Sequence, residues 1–272
     1  LRGKVRGGGA AINGMIYMRG QARDYDGWRQ LGAVGGAWDD ILPYFQKTED
    51  FQGGADDMHG AGGEWRVEEP RLSWEILDAF RDAAVEAGIP ATDDFNRGDN
   101  EGVGYFHVNQ RRGVRWNASK AFLRPVANRP NLMVATEAHA ERLDLVDGRV
   151  RAVLFRQGKG AAPKRAVVAG EAILAAGSIG SPQLMQLSGL GPGAWLQEIG
   201  VAPVVDIDGV GRNLQDHLQV RLAYKVQGVK TLNERSNSLL GKAGMGLEYA
   251  LLKRGPLTMA PSQLGCFAKS DP

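Results

Sequence analysis

The chain has a single cysteine, Cys266, in 272 residues. It can therefore close no internal disulfide, and a reducing compartment is the expectation. Histidine is almost as scarce: His59, His107, His139 and His217 never fall at ligand spacing, so no protein-built metal site is expected. No apolar run approaches the roughly 20 residues that span a bilayer. The first residue is Leu1 and no signal-peptide pattern follows it, so any targeting segment would lie upstream. A net charge of +2 gives no electrostatic case for a nucleic-acid partner. A cytoplasmic location is expected, with membrane association left open.

Glycine is what the chain has in excess. Its 38 residues are roughly twice average usage, and they follow no period. They are dense in the opening run from Gly3 to Gly20, GKVRGGGAAINGMIYMRG. Lacking Cβ, such a run lets backbone approach a flat or phosphorylated ligand closely, although a ligand-free glycine turn would have the same composition. Asn13 is the polar exception within Ile12–Tyr17. Left without a partner in apolar surroundings, its amide would cost about 1–3 kcal/mol, and a ribityl or pyrophosphate oxygen would satisfy it. A cofactor loop normally follows a strand, and only Leu1 and Arg2 precede this one, so the chain is expected to begin inside a cofactor site.

The rest of the chain alternates structured and loop segments. Trp38 to Phe45 opens a helix. Residues 52–63, rich in Gly and Asp, read as an exposed loop and a mobile lid. A further helix is expected from Ser73 as N-cap to a stop at Gly88 and Pro90. Short strands are expected at 132–136, 143–146, 150–155, 165–169 and 172–176, with Asp147-Gly148 as a hairpin turn. After a turn at Gly177–Gly180, a helix should start at Ser181 with Pro182 in its first position and Gly189 just past its end. Locally, residues 177–192 are fully explained as a well-made strand–helix corner.

Taken together, residues 3–20 and 177–192 resemble the two signature patterns of the glucose–methanol–choline (GMC) family of FAD-dependent oxidoreductases. The second signature matches at every defined position. The first departs at Arg6, where an aliphatic residue is usual, and at Ala10, where Ser, Thr or Gly is usual. The segments FNRGDNEGVGYFHVN (95–109), WNASKAFLRP (116–125), RPNL (129–132) and VGRNLQDH (210–217) resemble the choline-dehydrogenase-like branch, so the likeness covers nearly the whole chain.

This resemblance implies a mixed α/β fold: a GMC-type FAD-binding domain, with an incomplete Rossmann-like unit and a β-meander, plus part of a substrate domain. It divides the chain into 1–26 (FAD-binding), 27–115 (lid and substrate side), 116–220 (FAD-binding strands and helix) and 221–272 (start of the substrate domain). It implies that Val5, Asn13, Gly14, Met15 and Ile16 contact the flavin and that Ala140 lies near the adenine. Ile12 stands where some oxidases of the family carry a flavin-linked His, so the FAD is expected to be non-covalent. The Gly-x-Gly-x-x-Gly turn of the family would precede residue 1 and its catalytic His would follow residue 272. The chain is thus expected to be an internal fragment with no catalytic residue of its own. His217 matches a motif on the flavin side and is read as structural.

The implied activity is oxidation of a primary alcohol to an aldehyde, with the electron acceptor unknown. Gln263 stands where choline-specific members carry Glu, which favours an uncharged alcohol over choline. The alternatives are choline dehydrogenase proper, a hydroxynitrile-lyase-like flavoprotein, and a catalytically inactive truncated chain.

Overall fold

The computed structural model describes residues 3–269. Two compact units emerge: Leu1–Arg129 joined by Lys225–Pro272, and Pro130–Tyr224. The first unit opens with a 3-10 turn at Gly8–Ala11 and continues through α1 (Ala22–Gln30), α2 (Trp38–Thr48), β1 (Glu49–Phe51), β2 (Trp65–Val67), α3 (Glu75–Glu86), β3 (Gly102–Tyr105), β4 (Gln110–Arg111) and β5 (Val114–Arg115). The second unit contains β6 (Ala138–Val146), β7 (Arg149–Gln157), β8 (Lys164–Val167), α4 (Gly177–Leu187), β9 (Leu190–Gly191), α5 (Gly193–Glu198) and β10 (Val205–Asp206). The chain then returns to the first unit for α6 (Leu232–Ser236), α7 (Leu239–Leu252) and β11 (Leu264–Phe267).

In the first unit, acidic side chains three residues into α1 and α2 turn back to cap them. Asp24 accepts from the Gln21 N–H at 2.9 Å and Asp40 from the Ala37 N–H at 3.1 Å, which satisfies donors that a helix start leaves free. Strand β1 pairs in parallel with β2, and β3 pairs antiparallel with β11, with Val103 opposite Cys266. Beside this second pair Phe95, Phe106 and Phe267 meet with ring centroids 5.2–6.3 Å apart. Gly104 has to be glycine, because a Cβ there would overlap the Thr92 carbonyl oxygen.

The second unit is built on the antiparallel meander β6–β7–β8. Asp147 and Gly148 at the first turn both have positive φ, 51° and 72°, as a type I′ hairpin turn requires. Helix α4 is tied to β6 through Ser188, whose Oγ accepts from the Leu143 N–H at 2.8 Å and donates to the Leu184 carbonyl.

Several expectations are corrected. Residues 132–136 and 172–176 form no strand, because among the described residues no neighbouring strand supplies a ladder. β-branched composition alone does not fix a strand. Helix α3 takes Trp74 as its N-cap instead of Ser73 and has no side-chain cap. Helix α4 begins at Gly177, so Pro182 lies inside it. The turn expected at 177–180 is its first turn, with Ser181 Oγ accepting from the Ala176 N–H. Residues 52–63 are not a free lid: His59 is 1% exposed and Gly60 is buried.

Candidate functional site

Five of the six residues singled out from the sequence lie on one loop of the first unit, and Ala140 lies exposed on β6 of the second. Gly7 and Gly8 turn the loop with φ of 99° and 53°. Gly7 is wedged against helix 119–123, where a Cβ would meet the Ser119 N at 3.3 Å. Gly8 and Gly9 face open space. Val5 and Ile12 leave about half of their apolar side chains exposed, 58% and 50%. The surface offered is therefore bare backbone between two apolar side chains.

Met15 closes the loop from inside. Its φ is 64°, a conformation that costs a non-glycine residue energy and persists only where neighbours enforce it. Its side chain is buried with Val108 and Ala260. Its N–H donates to Asn13 Oδ1 at 3.1 Å, and its carbonyl accepts from the Asn109 N–H at 2.7 Å. Gly14 packs on Pro261 and Ile16 bridges to Val108. Gln110, 1% exposed, donates to the Thr258 carbonyl and lies 3.6 Å from Met15 Sδ, joining the loop to the segment that runs on to Gln263. Asn13 itself stays exposed. Its Oδ1 also accepts from Arg115 Nη1 at 2.8 Å.

Behind the loop lies a charge network that sequence spacing did not reveal. Arg19 Nη2 donates to Glu49 Oε2 at 2.7 Å, with both side chains wholly buried. The same oxygen accepts from His59 Nδ1 at 3.0 Å and from the Gly60 N–H at 2.9 Å. His59 Nε2 reaches Asp94 Oδ2 at 2.8 Å, and His107 Nδ1 lies 3.6 Å from Asp94 Oδ1. Both ring nitrogens of His59 face carboxylates, so both donate and the ring is a cation. Burial would lower its pKa, but the hydrogen bonds and charges of Asp94 and Glu49 outweigh burial and raise it to about 9. Burial likewise opposes ionisation of Glu49 and Asp94, and is outweighed: His59, Gly60 and Arg19 hold Glu49 low, and His107, His59 and the Asn96 N–H hold Asp94 low. A ring locked as a cation between two anions cannot accept a proton from a substrate, so His59 is an anchor and not a base. It pins residues 52–63, and Arg97 adds ion pairs to Asp56 and Asp57 at 2.8 and 2.6 Å. The only legible hint was one histidine set between acidic segments.

His217 lies exposed in the second unit beside Asp216. The second signature segment is closely packed there. Gly189, with φ 83°, follows the end of α4, and a Cβ on it would strike the Ala202 carbonyl oxygen at 2.6 Å.

Likeness to known proteins gives this mixed α/β fold and its glycine loop their family. The sequence model of the GMC oxidoreductase family matches residues 1–219, and the chain belongs to that family. Oxygen-dependent choline dehydrogenase of Brucella ovis is 41% identical over 254 residues, which is 93% of this chain and 46% of that protein. Alcohol dehydrogenase (acceptor) of Pseudomonas putida is 37% identical over 273 residues, 100% of this chain and 49% of that protein. Among solved structures, an FAD-dependent oxidoreductase from Chaetomium thermophilum superposes with a TM-score of 0.87 at 27% identity, covering 97% of this chain and 48% of that one. A fungal aryl-alcohol oxidase gives 0.87 at 26% identity, covering 98% and 48%. The chain spans about half the length of the curated relatives it matches. No helix among the described residues is long and apolar enough to cross a membrane.

Proposed function

We propose that this chain forms the flavin-side part of an FAD-dependent oxidoreductase that converts a primary alcohol to an aldehyde. The observation that carries the reading is the surface of the opening loop. Exposed apolar Val5 and Ile12 flank bare glycine backbone, which suits a flat ring that is apolar on its face and polar at its edge. The charge balance agrees: residues 3–23 and 102–136 contain no Asp or Glu, so neither stretch repels an anionic pyrophosphate. The flavin, when bound, supplies the two-electron acceptor for the alcohol.

The protein's part is to hold that ring. Val5 and Ile16 would give apolar contact, Asn13 a hydrogen bond, and Gly14 and Met15 close backbone approach, with Ala140 beside the adenine. On this reading residues 1–26 and 116–220 serve the cofactor, and 27–115 and 221–272 serve the substrate side. The FAD is held without a covalent bond, because Ile12 has no nucleophilic atom. No residue of this chain is assigned as the base.

Gln263 supports an uncharged alcohol. Its Oε1 is buried without a hydrogen-bond partner among the described residues, and a neutral amide offers no counter-charge to a trimethylammonium group. A choline substrate is the second reading, favoured by the 41% identity to choline dehydrogenase. The test is anaerobic mixing of the flavin-bound full-length protein that carries this chain with hexanol, benzyl alcohol or choline while following the flavin absorbance. We expect bleaching by the uncharged alcohols, and release of all flavin into the supernatant on acid precipitation. Preferential bleaching by choline selects the second reading. A full-length protein that stays oxidised with all three overturns the primary-alcohol reading.

A further inference from the structure

The network around Asn13 fixes which way its amide faces. An amide's oxygen and nitrogen are told apart by their partners. Here both partners are donors without acceptor capacity: the Arg115 guanidinium at 2.8 Å and the Met15 backbone N–H at 3.1 Å. The atom facing them must be Oδ1. The NH2 group is then the free end of an exposed side chain, and whatever meets Asn13 there must accept hydrogen bonds.

Arg115 is itself committed to this task. It lies on β5, on the strand pair β4–β5 that follows directly from the buried Val108–Gln110 segment holding Met15. Its Nη1 also reaches the Ala10 carbonyl at 3.4 Å, so one guanidinium spans the loop from Ala10 to Asn13. No carboxylate among the described residues pairs with it. Its backbone carbonyl accepts from Lys120 Nζ at 2.6 Å, which keeps a second cation close by.

Resting on the flavin-binding reading above, we propose that Arg115 is a positioning residue for the cofactor. It occupies the Asn13 carbonyl oxygen, so that the Asn13 NH2 is presented as a donor to an acceptor atom on the edge of the flavin ring. Arg115 acts through Asn13 and does not touch the flavin itself. The orientation excludes the opposite assignment, in which Asn13 accepts from the ring N–H.

The test is a double-mutant cycle on flavin affinity, measured by titrating FAD into the intact apoprotein and following fluorescence quenching, with the thermal unfolding of each apoprotein recorded alongside. Arg115→Met and Asn13→Ala should each weaken binding about tenfold, the worth of one charge-assisted or well-placed hydrogen bond. The double variant should be no weaker than Asn13→Ala alone within about twofold, because the pair acts as one unit. Arg115→Lys, which keeps a donor and a charge, should recover affinity to within about threefold. Asn13→Asp, which places an acceptor where the donor stood, should bind more weakly than Asn13→Ala. Additive losses near a hundredfold, an unchanged affinity in Arg115→Met, or Asn13→Asp binding at least as well as Asn13→Ala each overturn the proposal. If Arg115→Met destabilises the apoprotein, Arg115→Lys decides in its place, and an affinity loss of about tenfold in a stable Arg115→Lys protein overturns the proposal. An unsubstituted full-length protein that takes up no FAD overturns the functional reading itself, and the proposal with it.

Discussion

His59 shows how far one side chain's meaning depends on its neighbours. In the sequence it sits in a Gly- and Asp-rich stretch that reads as a loose lid. In the fold it is a buried cation between Glu49 and Asp94. Its pKa is raised from 6.5 to about 9, worth about 3 kcal/mol. Because the folded pKa is the higher one, that stability is complete below pH 6.5 and is lost as the pH climbs through about 9. Glu49 and Asp94 are depressed from 4.5 and 3.8, so their contribution is complete above about pH 4.5 and is lost on acidification. The melting-temperature gap between the native chain and His59→Gln should therefore be widest between about pH 5 and 6.5 and shrink towards pH 9. A gap that does not change with pH shows the ring is not held as a cation.

At the scale of elements, two glycines with similar backbone angles should respond very differently to substitution. Gly148 in the β6–β7 turn has φ 72°, and the position a Cβ would take has no atom within 4 Å, so Gly148→Ala incurs only backbone strain, about 1 kcal/mol. Gly189 has φ 83°, and its Cβ would lie 2.6 Å from the Ala202 carbonyl oxygen and 2.7 Å from Val204 Cγ2. Gly189→Ala adds overpacking of about 1–3 kcal/mol to the strain. Thermal or urea unfolding should rank Gly189→Ala well below Gly148→Ala; equal losses would mean the α4 end can relax. The Asp147-Gly148 hairpin and Gly189 after α4 were legible from the sequence, because each depends on a local backbone need that few residues meet. The strands expected at 132–136 and 172–176 failed for the complementary reason: a strand exists only with a partner.

Across the whole chain, both units carry large apolar side chains in contact with solvent. In the first unit Leu239, Leu240 and Leu251 are 72–88% exposed, and in the second Ile173, Leu218 and Val220 are 83–99% exposed. Exposed apolar surface of this kind marks interaction sites and drives association. The 272-residue chain on its own should self-associate at micromolar concentration, as read by light scattering, and Leu240→Lys with Leu218→Lys should reduce that association. A monodisperse monomer at these concentrations overturns this expectation.

The family was determined by the sequence alone, which also singled out the candidate cofactor loop, because glycine runs and their fixed companions are short-range signals that survive without coordinates. So were the mixed α/β class and the meander turn. Tertiary structure alone decided the rest. It sends the Met15 side chain into the core while Asn13 faces out, and it brings Arg115 across 102 residues to set the Asn13 amide. It also gathers Arg19, Glu49, His59 and Asp94 into one buried network. These pairings join residues far apart in the chain, and their energies come from burial and from charges brought within hydrogen-bond distance. Neither exists until the chain has folded.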